Sequence, residues 1–151
     1  MKQIFVVILA LLVSVNVLAQ KKSKDFNMQF NHVALSVSDL EASVNFYTSV
    51  LKLNEITNRT EKDGIRWLSL SQGKELHLIS VLSGDITLNK AVHFALSTPH
   101  FDTFIDNLNE HDIKYSSWAG EDQKITIRAD GVKQVYVQDP DGYWIEVNSA
   151  N

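Results

Sequence analysis

The 151-residue sequence contains no cysteine, and it has only two prolines and six glycines. Without cysteine there is no disulfide framework, thiolate zinc site, iron–sulfur cluster or cysteine nucleophile. Any metal ion bound by this chain must therefore be held by His, Asp or Glu. The length allows one compact domain at most.

A net positive charge is also missing. The chain carries 14 Lys and Arg against 18 Asp and Glu, a formal net charge of −4, and apart from Lys21, Lys22 and Lys24 its cations are spread along the sequence. Affinity for nucleic acid comes mainly from cations that neutralise backbone phosphates. We therefore predict no nucleic-acid partner.

The first 19 residues have the pattern of a secretory signal peptide. Lys2 precedes an apolar run over residues 4–13, and small residues end the segment at Ala19. This order is typical of exported proteins, and the run is short for a membrane span of about 20 residues. We predict cleavage after Ala19, a linker over residues 20–29, and a periplasmic or secreted product with no stable membrane insertion. A retained membrane anchor is the alternative.

The remaining sequence contains two halves that resemble each other. Residues 31–37 (NHVALSV) resemble residues 92–98 (VHFALST), and residues 66–77 resemble residues 135–146. The halves thus share one structural plan. We predict a single domain at 30–150, with module one at about 30–82, module two at about 90–150, and a loop insertion at 119–131.

Each half reads as strand, helix, strand, strand, strand. Ser38 begins a capping box that starts the first helix, with Glu41 reaching back, and Thr98 caps the second helix with Pro99 at its first position. Apolar alternation and turn residues indicate the strands. After the helices we predict strands at 55–60, 65–71 and 75–81 in module one and at 113–118, 133–138 and 143–148 in module two. The fold class is α+β, with two tandem βαβββ modules.

Four ligand-competent side chains occupy equivalent strand positions. Because strand side chains alternate between faces, His32 and His93 lie opposite the branched apolar residues of their strands, beside small neighbours. His77 and Glu146 face the same way in the last strand of each half. One His on a strand is usually structural, but the joint pattern predicts a metal site. Imidazoles with a carboxylate suit zinc, nickel, cobalt, manganese or iron(II).

The other histidines and the scattered cations are predicted to lie at the surface. His100 and His111 fall on or near the second helix. Arg66, Arg128 and Lys133 are candidates for neutralising an anionic substrate. The commoner role for each of these three cations is that of a solvated surface charge.

The motifs resemble the vicinal oxygen chelate superfamily, which includes glyoxalase I, extradiol dioxygenases, fosfomycin-resistance enzymes and bleomycin-binding proteins. Residues 32–37 followed by 39–47 (DLEASVNFY) are similar to the opening strand and helix of that superfamily. Residues 139–146 (DPDGYWIE) are similar to its closing motif, especially as glyoxalase I carries it. The resemblance spans about residues 30–150.

This resemblance implies mixed sheets that curl around a metal cavity, with ligands on the first and fourth strand of each module. By this resemblance, the ligands of a divalent metal ion in this chain are His32, His77, His93 and Glu146. In this superfamily the modules that share a site belong to one chain or to two, so we expect a homodimer. Glyoxalase I usually has a carboxylate in place of His77, which leaves Glu146 as the catalytic proton-transfer group.

The leading hypothesis is therefore an exported, metal-dependent lyase or isomerase of glyoxalase type. Its small-molecule substrate presents two adjacent oxygens to the metal, and Trp144 either lines the substrate cavity or packs in the core. One alternative is extradiol-type dioxygenase chemistry on His32, His93 and Glu146, with His77 beside them as an acid or base. Two others are a non-catalytic small-molecule binding protein and a metal-holding dimer without turnover.

Overall fold

The computed structural model describes residues 26–150, which form two mixed β-sheets with few helices. The predicted signal peptide at 1–19 and most of the linker at 20–29 lie outside the described residues. No helix in the described part is long and apolar enough to cross a membrane. The predicted α+β class is confirmed, with one mixed sheet from each half.

The elements of the first half are β1 (His32–Ser36), α1 (Leu40–Asn45) with a π-helical continuation (Phe46–Val50), β2 (Asn54–Ile56), β3 (Ile65–Ser69), a 3-10 turn (Ser71–Gly73) and β4 (Glu75–Ile79). The four strands form the first sheet in the order β1-β4-β3-β2, with β1 parallel to β4. The predicted strand at 55–60 is shorter in the structure and starts one residue earlier.

The elements of the second half are β5 (His93–Ser97), α2 (Phe101–Glu110), β6 (Tyr115–Ser116), β7 (Thr126–Ile127), β8 (Lys133–Gln138) and β9 (Trp144–Asn148). The second sheet repeats the plan of the first in the order β5-β9-β8-β6, with β5 parallel to β9 and the short β7 also paired with β8. Strand β7 lies within the stretch 119–131 that the sequence predicted to be a loop.

Side-chain alternation assigns the two faces of each sheet. Leu35 and Val37 of the first half are buried, whereas His32 and Ala34, at alternate positions of the same strand, are exposed. Buried apolar residues of both halves form one hydrophobic cluster that includes Leu78 and Ile145. Burying apolar side chains is the main driving force of folding, and a shift of one residue would expose them. This cluster therefore fixes the register of the strands in both sheets. The candidate ligands consequently lie on the faces turned away from the cluster.

The predicted cap of the first helix is wrong, because a distant carboxylate engages Ser38. Asp39 is the N-cap residue, and its Oδ1 accepts a hydrogen bond from the Ala42 N–H at 3.0 Å. Ser38 instead donates to Asp141 Oδ1 through its N–H at 3.1 Å and its hydroxyl at 2.5 Å. Glu41 accepts from Arg66 rather than reaching back to the cap.

The second helix also starts later than predicted. Its first residue is Phe101, and His100 is its N-cap residue. The Thr98 hydroxyl oxygen accepts from the His100 N–H at 3.1 Å, so Thr98 organises the turn before the helix. Pro99 therefore lies in that turn rather than at the first helical position.

The turn at 139–142 ties the two halves together. Asp139 is 5% exposed, and its Oδ2 accepts from the Tyr47 hydroxyl of the first half at 2.8 Å. Its Oδ1 accepts from the N–H groups of Asp141 at 3.0 Å and Tyr143 at 2.8 Å. Burial raises the pKa of Asp139 above its ordinary value, despite these donors. The carboxyl group thus takes up protons more readily in the folded chain than in the unfolded one.

This raised pKa predicts a specific pH dependence for an Asp139→Asn variant. The stability that protonated Asp139 contributes is complete below the ordinary pKa of an aspartate and is lost as pH rises through the raised pKa. The neutral amide cannot lose a proton, so the variant should be destabilised by about 1 kcal/mol in acid and by less near pH 7.5. Urea unfolding at pH 4.5 and 7.5 measures this difference.

Asp106→Asn, at an exposed position on α2, is the matched control for removing an aspartate charge. The deficit of Asp139→Asn relative to wild type should shrink with rising pH, and that of the control should not follow this trend. A deficit that grows with pH for Asp139→Asn would mean that ionised Asp139 stabilises the fold.

Candidate metal centre

The four predicted ligands lie in two pairs, one on each sheet. Strands β1 and β4 are parallel neighbours, and so are β5 and β9, so equivalent positions of the first and last strand of a half come together. This pairing brings His32 beside His77, and His93 beside Glu146. The repeat seen in the sequence thus appears as two pairs of candidate ligands, one in each half, and we call each pair a half-site.

In the second half, His93 and Glu146 face each other directly. The Nε2 atom of His93 lies 3.4 Å from Oε2 of Glu146, and its Nδ1 atom lies 2.8 Å from the Lys90 carbonyl oxygen. A carbonyl oxygen only accepts hydrogen bonds, so Nδ1 carries the proton of the neutral ring. In that form of the ring, Nε2 carries no proton and lies 3.4 Å from the carboxylate oxygen. A backbone carbonyl on the far nitrogen is a common support for metal-binding histidines.

Glu146 is 8% exposed and is fixed by two neighbouring side chains. The Tyr136 hydroxyl donates to Oε2 at 2.6 Å, and the Asn148 amide donates to Oε1 at 2.7 Å. Burial, followed by the hydrogen bond to Glu146, raises the pKa of Tyr136 well above its ordinary value. Tyr136 therefore remains a protonated donor that holds the carboxylate in place.

In the first half, His32 and His77 are stacked rather than convergent. Their ring centroids are 4.4 Å apart with an interplanar angle of 15°, and Trp67 covers the His77 ring at 4.1 Å. The His77 Nε2 atom donates to Glu75 Oε2 at 2.9 Å, and the Arg59 guanidinium lies 4.5 Å from the Trp67 ring centroid. His77 is thus held within a column of planar groups.

Stacking limits what this pair can coordinate. An imidazole binds a metal through a lone pair in the ring plane, at about 2.0–2.1 Å from the nitrogen. The lone pairs of nearly parallel, stacked rings run side by side and do not meet at one ion. His32 is exposed, and its Nδ1 lies 2.7 Å from Asn31 Oδ1, which leaves Nε2 as the unprotonated nitrogen.

The described chain does not join the two half-sites. Within residues 26–150 there is no group of three or more His, Asp or Glu side chains placed to hold a metal ion. The His32–His77 pair and the His93–Glu146 pair therefore remain separate, and the four-ligand site stays a prediction.

Trp144 lies close to the second pair but is engaged elsewhere. Its indole N–H donates to the Leu88 carbonyl at 3.1 Å, and the Lys90 ammonium lies 4.7 Å from its ring centroid. These contacts fix the segment that links the two halves. Trp144 and Tyr136 also line a cavity of about 420 Å³, which is within the range of small-molecule sites. The predicted substrate contact through Trp144 remains a prediction.

The three cations considered for substrate binding are paired with carboxylates. Arg66 donates to Glu55 and to Glu41. Arg128 and Lys133 form ion pairs with nearby aspartates, at 2.6 and 2.8 Å. Their surface role is the one that these contacts support.

Sequence reasoning missed the residues that support Glu146. Tyr136 lies directly opposite Glu146 in the β8–β9 hairpin. The strands at 133–138 and 143–148 were predicted, so counting the register outward from the residues that join them would have placed Tyr136 opposite Glu146. Lys90 carried no such signal, because its carbonyl contact with His93 depends on the path of the linking segment.

Comparison with known proteins places the chain in a family. Residues 29–147 match the Glyoxalase/Bleomycin resistance protein/Dioxygenase superfamily. The chain is 28% identical over 124 residues to "Metallothiol transferase FosB" of Staphylococcus epidermidis, covering 80% of each protein. It is 27% identical over 124 residues to "Uncharacterized protein YwbC" of Bacillus subtilis, covering 78% of this chain and 94% of that one.

Solved structures share the fold. "Oxidase ChaP-H2" has a TM-score of 0.69 at 22% identity, with 83% of this chain and 95% of that chain covered. A glyoxalase/dioxygenase from Nostoc punctiforme has a TM-score of 0.65 at 26% identity, with 82% of this chain and 91% of that chain covered. The chain therefore belongs to the Glyoxalase/Bleomycin resistance protein/Dioxygenase superfamily, the family that its motifs resemble.

Proposed function

We propose that the protein is a metal-dependent enzyme, a glyoxalase-like lyase or isomerase that acts on a small molecule with two adjacent oxygens. Members of this superfamily are typically metal-dependent. The observation that carries the proposal is the pair formed by His93 Nε2 and Glu146 Oε2, 3.4 Å apart. The proposed location is outside the cytoplasm, on the basis of the signal-peptide pattern at 1–19.

The chemistry of this pair fits a divalent ion. A lone pair and a carboxylate oxygen repel each other at that separation unless a cation, either a second ring proton or a metal ion, lies between them. Both side chains are oriented by further hydrogen bonds, His93 through the Lys90 carbonyl and Glu146 through Tyr136 and Asn148. Supported imidazole and carboxylate ligands of this kind suit zinc, nickel, cobalt, manganese or iron(II).

A third ligand is needed, and we assign it to His32 of a second copy of the chain. The exposed His32 has Nε2 free for coordination, whereas His77 is stacked behind it and donates its own Nε2 proton to Glu75. The two half-sites do not meet within residues 26–150. A homodimer in which each copy completes the other's site reconciles these observations, with His77 positioning His32.

The bound ion would supply Lewis-acid polarisation of two adjacent substrate oxygens. We assign proton transfer at the substrate carbons that bear these oxygens to Glu146, since its carboxylate is held in one orientation. Proton transfer by a positioned carboxylate contributes about 10²–10⁴-fold to rate. Tyr136 and Asn148 hold the Glu146 carboxylate in this orientation through their hydrogen bonds.

Two other activities have specific support. Two histidines with one carboxylate form the ligand set of many iron(II) oxygenases, which favours dioxygenase chemistry as the second candidate. The similarity to two staphylococcal proteins named "Metallothiol transferase FosB" favours a metal-dependent thiol transfer. A protein that only sequesters a small molecule is the remaining alternative.

Metal analysis of protein purified without chelator tests the proposal. We expect one divalent ion per chain, and we expect EDTA to lower the melting temperature by about 10 °C, because a tight ligand stabilises the state that binds it. Zinc or nickel, with turnover of a hemithioacetal, supports the lyase or isomerase. Iron together with turnover of a catechol would favour the dioxygenase over the lyase or isomerase. A metal-free protein that binds substrate analogues without converting them would contradict both enzyme assignments.

A further inference from the structure

A second cavity lies at the seam between the two halves, and we call it the seam cavity. Its volume is about 460 Å³. It is lined by the end of the π-helical turn and the residues after it in the first half, and by β5 and α2 in the second half. Leu96 and Val147 contribute to it from the sheet face opposite to that of His93 and Glu146. The seam cavity is therefore separate from the candidate metal centre.

The walls of the seam cavity are mainly apolar. Leu51, Leu53 and Leu70 contribute from the first half, and Leu96 and Phe104 from the second. All five pack against the hydrophobic core but are only partly buried. Apolar surface that converges on a concave space is the usual property of a small-molecule site.

The polar side chains that line the seam cavity include basic residues but no acidic ones among the described residues. Lys52 and His100 line it, and within the described chain neither side chain makes a hydrogen bond or ion pair. None of the described lining residues is Asp or Glu, although acidic residues outnumber basic ones 18 to 14 in the sequence. The hydroxyls of Ser97 and Thr103 add further donors. The cavity thus combines an apolar interior with a lysine and a histidine at its border, and none of its described lining residues is acidic.

We propose that the seam cavity binds a small amphipathic monocarboxylate, with its hydrocarbon chain among the leucines and its carboxylate at Lys52 and His100. The volume lies within the roughly 300–1,000 Å³ of ligand pockets. Charge complementarity selects a carboxylate over a neutral or cationic amphiphile, since an ammonium and a carboxylate form a strong, charge-assisted hydrogen bond. This site is additional to the proposed active site and does not depend on it.

Decanoate is the probe, and decanol is its neutral counterpart. Each is titrated into the isotope-labelled full chain below its aggregation limit, and amide shifts are followed by NMR. Lys52→Asn removes the charge without added strain, because Lys52 has φ 55° and asparagine adopts positive φ readily. Thr103→Trp fills the cavity, Lys124→Asn is the matched surface control, and Glu146→Gln tests independence from the metal centre.

We expect saturable decanoate shifts around Leu51, Leu96 and Phe104. Lys52→Asn should weaken decanoate binding by about tenfold, Thr103→Trp should abolish it, and Lys124→Asn and Glu146→Gln should leave it unchanged. Decanol should bind at least about tenfold more weakly than decanoate. Equal binding of decanol, unchanged binding in Lys52→Asn, or the absence of saturable shifts in the wild-type chain would overturn the proposal.

Discussion

A Glu146→Gln variant should fold normally yet lose both tight metal binding and turnover. The amide has the shape of the carboxylate, and its oxygen can still accept from the Asn148 side chain, which donates to Glu146 at 2.7 Å. It lacks the negative charge that faces His93 and cannot transfer a proton. Activity should fall by about 10²–10⁴-fold, and metal affinity should fall by about 100-fold or more, since changes merely beside a ligand already reach that size.

Glu110→Gln provides the matched control. Glu110 is exposed at the end of α2, so its loss of charge should leave metal content and activity at the wild-type level. Metal content per chain, circular dichroism and initial rates with the responsive substrate are the measurements. A folded Glu146→Gln protein that retains its metal and its rate would remove Glu146 from the proposed site.

The fold was largely predictable because it follows from local patterns repeated in both halves. Strand alternation alone placed Leu35 and Val37 on the buried face and His32 on the opposite one. Alternation has a period of two residues, so an error of one position would have exposed every apolar side chain of the strand. The βαβββ plan of each half needed no long-range information.

Helix starts were harder to predict because long-range contacts compete for the capping groups. Ser38 has the residue type and spacing of a cap, but Asp141, which is 103 positions away, binds both its N–H and its hydroxyl. The next residue, Asp39, then caps the helix. A local rule cannot include a partner that only the folded chain brings near.

The candidate site shows the same division between local and long-range information. Strand faces indicated that His93 and Glu146 share a half-site, and the structure brings them together. The stacking of His77 between Trp67 and His32 depends on the neighbouring strand β3, which lies opposite β4 in register. The His32–His77 and His93–Glu146 pairs do not form one site within residues 26–150, and local strand patterns carry no information on how the two pairs lie relative to each other.

Mixed dimers of His32→Ala and Glu146→Gln chains should regain metal binding and activity that neither variant has alone. If each site takes His32 from one chain and His93 with Glu146 from the other, the mixed dimer holds one intact site and one site that lacks two ligands. We expect about half of the wild-type metal content per chain and about half of the wild-type rate, because only one of two sites works. Two affinity tags isolate the mixed dimer after co-expression.

The converse pairing distinguishes a shared site from one built within a chain. A mixed dimer of wild type with the double variant His32→Ala/Glu146→Gln has one defective ligand in each shared site, so it should bind no metal tightly and show no turnover. If one chain held a complete site, the same dimer would keep half of the activity, and the mixture of single variants would stay inactive. The two mixed dimers must therefore respond in opposite ways, and the order of their activities shows whether His32 acts across the dimer.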